Sequence, residues 1–251
     1  MPKITSVEAR ERHHFDKYAK RYDSNYSYDK PFTRYKILKK VDDFFSSVKS
    51  VYKSDNLLML EVGCGTGEYT KLIASRFPKS KIIGIDISPD ILKIAKNKCS
   101  KFKNVKFYTK SAYDMKFKNK SFDIVFGFYI LHHLDSTKLS TEVHRVLKKK
   151  GLLYFYEPNI LNPVVFLIKS SKFIKKLVGD SPDEWAINPI TIEKSFKGFR
   201  KMSILTSEFV FPFSKLGLRF NILLDKITSI FAKLPITRYL GGSVKILLQS
   251  R

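Results

Sequence analysis

Residues 57–70, LLMLEVGCGTGEYT, constrain this chain more than any other stretch. Leu57, Leu58, Met59, Leu60 and Val62 make a short apolar run, which predicts a strand buried on both faces of a parallel sheet. Three glycines follow at alternate positions, Gly63, Gly65 and Gly67, with Cys64 inside the turn. A turn without side chains lets a ligand lie against the backbone, and the helix that follows offers it free N–H groups. Glu61 stands at the mouth of the strand.

The glycine spacing discriminates between ligands. A dinucleotide fingerprint is G-x-G-x-x-G, whose last glycine opens the helix for a pyrophosphate. Here the pattern is G-x-G-x-G behind a carboxylate, which repels a diphosphate and attracts an ammonium. In these residues the sequence resembles the class I S-adenosylmethionine-dependent methyltransferases. Their first motif is E/D-x-G-x-G-x-G, and Glu61, Gly63, Gly65 and Gly67 fill its fixed positions. The resemblance implies an S-adenosyl-L-methionine cofactor with its amino-acid end at Glu61 and the turn Gly63, Cys64, Gly65, Gly67 around it.

Residues 81–86, KIIGID, predict a second buried strand ending in a carboxylate. Asp86 lies 19 residues beyond Gly67, where a doubly wound fold puts the acidic residue that takes ribose hydroxyls. Ile87 would then lie against the adenine face, while Ser88 and Pro89 start the next helix. Residues 105–108 read as a third strand. KSAYDMKF, residues 110–117, is similar to the family's G-D-A-x-D-L-P-F segment at Ala112, Asp114 and Phe117, with Ser111 replacing the usual first Asp. The resemblance assigns the adenine edge to Ser111 and to the backbone of Ala112.

Residues 121–134, SFDIVFGFYILHHL, predict a fourth strand running into a loop and helix. Ligands of an open parallel sheet gather at the carboxyl ends of its strands. That puts Gly127 and Phe128 at the methyl end of the cofactor, with Tyr129, His132 and His133 beside them. His132 or His133 is the candidate base for an acceptor that must lose a proton, and Tyr129 a candidate orienter. The LHHL run also resembles a motif present across methyltransferases of different acceptors, where it is partly structural. No metal site is expected: adjacent histidines on a helix point to different faces, and no carboxylate or cysteine completes a set.

Upstream, Phe15, Tyr18, Ala19 and Tyr22 fall at helical spacing, and Tyr35, Leu38, Val41, Phe45 and Val48 form a second stripe, together predicting a helical cap. FDKYAKRYDSNY resembles the N-terminal element of quinone-biosynthesis-type methyltransferases, an F-D-x-x-A-x-x-Y-D run that closes over the cofactor. Phe15, Asp16, Ala19, Tyr22 and Asp23 match it; Tyr22 is read as a cofactor contact and Phe15 as core. Downstream, a helix through Leu139, Val143, Val146 and Leu147 should end at Gly151 in the C′ manner, followed by a fifth strand over 152–156. Residues 163–178 predict a helix with a lysine face, read as a lid over the site or as a surface for an anionic membrane. Residues 195–202 look like a helix end and a turn, and 204–211 like a sixth strand. Phe220, Leu223, Leu224, Ile227, Ile230, Phe231 and Leu234 form a helical stripe, read as core-facing, as the wall of an acceptor pocket or as a homodimer face. Residues 243–249 predict a seventh strand returning antiparallel.

The expected fold is α/β, a Rossmann-like doubly wound seven-stranded sheet, mostly parallel with an antiparallel last strand. One domain comprises a helical cap (1–50), the cofactor-binding core (56–160), a helical insertion (161–200) and a C-terminal part (201–251). The 47 Lys and Arg against 23 Asp and Glu give a formal charge of +24, which invites nucleic acid or anionic membrane as a partner. The lysines are spread along the whole chain, however, as on an ordinary solvated basic surface. With Cys64 and Cys99 alone there is no disulfide framework, so a reducing, cytoplasmic setting is expected. No apolar run approaches the roughly 18 residues of a membrane span. The leading expectation is methyl transfer to a small-molecule or lipid-type acceptor; RNA methylation and a non-catalytic binding subunit are the alternatives.

Overall fold

The computed structural model describes residues 4–181, 184–209 and 217–251. α1 (Ser6–Tyr18), α2 (Tyr22–Asn25) and α3 (Pro31–Lys49) precede the sheet. Thr5 and Glu8 cap α1 reciprocally, each side chain bonded to the other's backbone N–H. There follow β1 (Leu58–Val62), α4 (Glu68–Arg76), β2 (Lys81–Asp86), α5 (Pro89–Lys98), β3 (Val105–Thr109), β4 (Phe122–Phe128), α6 (Ser136–Val146) and β5 (Leu147–Pro158). The chain closes with α7 (Pro163–Ser170), α8 (Lys172–Val178), β6 (Phe199–Ser207), α9 (Leu218–Thr228) and β7 (Ser243–Ser250).

The described residues build one seven-stranded sheet in the order β3-β2-β1-β4-β5-β7-β6. β1 to β5 pair in parallel, and β7 runs antiparallel to both β5 and β6. The strand order reverses beside β1, so the crevice at the carboxyl ends of β1 and β4 is where this topology places a ligand. Successive residues of a strand face opposite sides. Leu60, Val125 and Leu153 therefore pack with Leu139 and Val143 of α6 on one face. Met59, Phe126 and Tyr154 pack with Val41 and Phe44 of α3 and Ile73 of α4 on the other.

Several expectations shift. In α3 the buried stripe is Phe32, Ile37, Val41, Phe44 and Val48 rather than the one through Tyr35, Leu38 and Phe45. Tyr35 is drawn aside because its hydroxyl donates to Asp225 of α9 at 3.1 Å. α6 does not run on to Gly151. Its last carbonyls, those of Arg145 and Val146, accept from the N–H groups of Lys120 and Ser121, and the chain passes straight into β5. Gly151 lies inside that strand, at a bend so tight that a Cβ would stand 2.8 Å from the Lys148 carbonyl oxygen. Residues 199–202, expected as a turn, belong to β6; residues 210–211 of the expected sixth strand lie outside the described residues. The predicted lysine-faced helix is two helices, α7 and α8, and Lys169 turns inward. α9 reverses the expected burial, covering Asn221 and Asp225 and leaving its apolar stripe outside.

Gly127 of β4 is a place where only hydrogen fits. A Cβ there would stand 2.6 Å from Ile130, 2.7 Å from Phe155 and 2.9 Å from the Val62 carbonyl oxygen. Gly127→Ala should cost about 1–3 kcal/mol, read as a lower urea midpoint with an unchanged slope.

Candidate active site

β1 delivers Glu61 to the crevice and the glycine turn bends the chain over it. Gly63 and Gly65 have φ of 63° and 53°, the left-handed region that side chains disfavour. Glu61 is buried, and its carboxylate accepts from the Thr70 hydroxyl at 2.5 Å. Burial pushes that carboxyl up to about 8, opposed by the Thr70 hydroxyl and reinforced by the charge of Asp86. At the tip of β2, Asp86 accepts the N–H of Gly65 at 3.0 Å and of Ser88 at 2.9 Å, which fastens the second strand to the glycine turn. Burial raises the Asp86 carboxyl above its ordinary range. Asp86 lines a cavity of about 80 Å³ and Glu61 an adjoining recess of about 20 Å³; the two share Tyr22, Gly63 and Gly65 as walls.

The cap is tied down by the residues that suggested it. Asp16 accepts from the Ser88 hydroxyl, and Asp23 accepts from the Thr66 hydroxyl at 2.6 Å and from Lys98 at 2.7 Å. The bonds to Thr66 and Ser88 join the cap to the loops after β1 and β2, the bond to Lys98 joins it to the end of α5, and between them Tyr22 is held over Gly65. Phe15, expected as core, instead lines the cavity.

The remaining sequence-derived residues divide. Ile87 and Ala112 line the Asp86 cavity, and Cys64 and Phe128 line the Glu61 recess. Phe128 spends most of its surface in the core, stacked on Tyr69 at 4.1 Å between ring centres. Three stand behind the walls. Ser111 donates its hydroxyl to Glu8 and accepts the N–H of Tyr113, Gly67 packs on Ala95 and Cys99, and Gly127 sits within the sheet.

The histidines do not diverge as adjacent residues on an α-helix would. They lie on a 3-10 turn, Leu131–His133, with ring centres 4.2 Å apart. Buried Glu157 at the end of β5 gathers the N–H groups of Ile130 at 3.0 Å and Leu131 at 2.8 Å, and meets Nδ1 of His132 at 2.6 Å. Nε2 of His132 faces Glu184 at 3.2 Å. Burial opposes a charge on this imidazole, but the two carboxylates prevail and raise it to about 9. His133 turns its Nδ1 to Glu11 at 3.0 Å and lays its ring edge-on to Phe15. Burial would raise the Glu11 carboxyl; the His133 imidazole holds it below its usual range.

Carboxylates therefore do converge on the pair, contrary to expectation, and His132, His133 and Glu184 come close enough to share a cation. Of the three, Glu184 also pairs with the ammonium of Lys169, which reaches Asp180 at 2.7 Å as well. Sequence reasoning missed Glu11, Glu157 and Glu184. Glu157 had a signal, since it ends a strand pattern just as Glu61 and Asp86 do. Glu11 and Glu184 had none.

Tyr129 adopts φ of 56°, uncommon for a bulky residue. Its N–H donates to the Tyr156 carbonyl at 2.8 Å and its hydroxyl lies 3.3 Å from that of Ser243. Beyond it opens a second cavity of about 340 Å³, walled by Tyr22, Tyr26, Tyr28, Lys40 and Glu184 among others. Phe15, Tyr22, Tyr129 and His133 line both this cavity and the one at Asp86.

The profile of the methyltransferase domain family matches residues 53–205. The chain belongs to the class I S-adenosylmethionine-dependent methyltransferase family. A demethylmenaquinone methyltransferase of Chlorobaculum parvum is 36% identical over 126 residues, covering 48% of this chain and 51% of its own. The chain spans about half the length of the curated relatives it matches. A methyltransferase of Thermotoga maritima, described as a possible histamine N-methyltransferase, superposes with a TM-score of 0.66 at 18% identity, covering 96% of this chain and 99% of that one. The magnesium protoporphyrin IX methyltransferase of Synechocystis, with S-adenosylhomocysteine bound, gives 0.66 at 15% identity, covering 98% and 100%. These two likenesses concern the fold alone. Among the described residues of this chain, no helix is long and apolar enough to cross a membrane.

His132 couples the site to stability. Its pKa is raised on folding from about 6.5 to about 9, so its contribution is complete below the lower value and disappears as pH rises through the upper one. Thermal melts of this chain should show that loss between about pH 6.5 and 9, and His132→Asn should remove most of that slope.

Proposed function

We propose that this chain transfers a methyl group from S-adenosylmethionine to a small-molecule or lipid-type acceptor seated in the second cavity. The observation that carries this is the wall of Phe15, Tyr22, Tyr129 and His133, common to the cavity at Asp86 and the cavity beyond. A donor on one side and an acceptor on the other meet there without crossing solvent.

The residues present fit the cofactor. Glu61 is a desolvated carboxylate whose described partner is a neutral hydroxyl, which suits an ammonium. Asp86, at the rim of the larger cavity, would take the ribose hydroxyls. Ile87 and Ala112 would bound the adenine. When bound, S-adenosylmethionine supplies a sulfonium methyl already activated for in-line displacement. The chain's own contribution is alignment and exclusion of water, worth about 7–11 kcal/mol at the ideal limit.

The acceptor must give up a proton as its new bond to the methyl carbon forms, and His133 is the group placed to take it. Glu11 faces the other side of that imidazole at 3.0 Å and steadies the imidazolium. His132, already cationic at neutral pH, holds the turn in place instead. Burial keeps the Tyr22, Tyr26 and Tyr28 hydroxyls neutral, with Tyr26 far above its ordinary range. The relatives include demethylmenaquinone methyltransferases, and a flat aromatic acceptor of that kind suits these ring-lined walls.

With a radiolabelled methyl donor, label should enter lipid or small-molecule fractions; label entering only RNA would overturn the assignment. His133→Ala should lower kcat by about 10²–10⁴-fold while cofactor binding persists. Glu61 gives a separate readout. Below about pH 8 its carboxyl holds a proton in the ligand-free protein, and an ammonium docking there displaces it. Calorimetry across buffers of different ionisation enthalpy should show proton release on cofactor binding near neutral pH, absent in Glu61→Gln. Affinity should rise as pH rises toward that value.

A further inference from the structure

α7, α8 and α9 carry their apolar side chains on the wrong side for a free surface. Phe173 and Leu177 of α8 are each 76% exposed, Leu167 of α7 is 61% and Ile227 of α9 is 58%. Inward, the same helices bury charge: Lys169 between Asp180 and Glu184, and Asp225 against Tyr35 and Lys39. The start of α7 meets the segment that follows α9. Asn162, which caps α7, donates to the Leu240 carbonyl at 2.7 Å, and Asn159 donates to the carbonyls of Tyr239 and Gly241. Next to that junction Ile236 stands 80% exposed. Patches of this kind mark interaction sites on proteins in water.

Charge selects the occupant. Among the described residues, segments 163–181 and 217–242 contain two acidic side chains, Asp180 and Asp225, and both are paired inward. The exposed charges on these segments are Lys172, Lys176, Arg219, Lys226, Lys233 and Arg238, all cationic. Apolar side chains interleaved with exposed cations and free of exposed anions match a negatively charged lipid surface, with the former entering the acyl boundary and the latter meeting headgroups. A second copy of the chain would present the same cations and be repelled.

The geometry points to docking of α7, α8 and α9 on an anionic bilayer, lying on the membrane without spanning it. Lys169, Asp180 and Glu184, which border the second cavity, belong to or adjoin α7 and α8, so docking would bring that cavity to the lipid surface. Binding of this kind does not depend on which acceptor is methylated, or on whether one is.

Sedimentation with vesicles of phosphatidylcholine, with or without an equal part of phosphatidylglycerol, tests it on the full chain. The protein should partition onto the anionic vesicles and lose only part of that binding as salt rises. Phe173→Asp with Leu177→Asp, and separately Leu223→Asp with Ile227→Asp, should each weaken partition by about tenfold or more, with circular dichroism unchanged. Lys172→Glu with Lys176→Glu should erase the preference for phosphatidylglycerol. No binding to anionic vesicles, or equal binding by the variants, would overturn the inference. So would self-association in the ultracentrifuge that these substitutions abolish while vesicle binding stays absent, since the occupant would then be a second copy.

Discussion

Glu157 is a carboxylate with no exposure at the carboxyl end of β5, and the arrangement of the site depends on it. Burying an isolated carboxylate costs many kcal/mol unless hydrogen bonds replace its water. Here the N–H groups of Ile130 and Leu131 and the imidazole of His132 do so. In return they fix a 3-10 turn where the strand pattern would otherwise end in loose chain. That turn sets His133 in the wall between the two cavities and presses Ile130 against Gly63 and Gly127. The two cavities of the crevice are therefore defined together by one buried carboxylate.

The cap obeys the same logic at its own scale. Asp16, Asp23 and Glu11 leave the first helices to reach Ser88, Thr66 and His133 respectively. Every one of these partners belongs to a loop or turn at the carboxyl edge of the sheet. α1 is thus bound to the site through polar contacts, burying Glu8 and Glu11 where α3 buries an apolar stripe against the sheet. An element held in this way can loosen without disturbing the core beneath it.

Much of this was readable beforehand because the relevant signals are local. Apolar runs, glycine at fixed offsets and a carboxylate at a strand tip located β1, β2 and their loops to within a residue. The errors arose where distant segments decide. Nothing near Glu11 or Glu184 in the chain announces that both will meet a histidine pair, and an adjacent pair reads as divergent unless the turn is known to be 3-10. The stripe of α9 was legible as amphipathic; which side faces in was not, because Tyr35 and Lys39 of α3 claim Asp225. Gly151 was mistaken for a helix stop because a tight bend within a strand and a C′ position both ask for a missing Cβ.

The strand order carries a consequence for synthesis. Among the described residues β6 finds its hydrogen-bonded neighbour only in β7, and β7 inserts between β5 and β6. While the ribosome is still making residues 208–242, β5 presents an open edge and β6 has no mate. An unpaired edge invites pairing with other chains. β7 is therefore the segment that joins β6 to the sheet, and a nascent chain stalled just short of it is the form most exposed to aggregation.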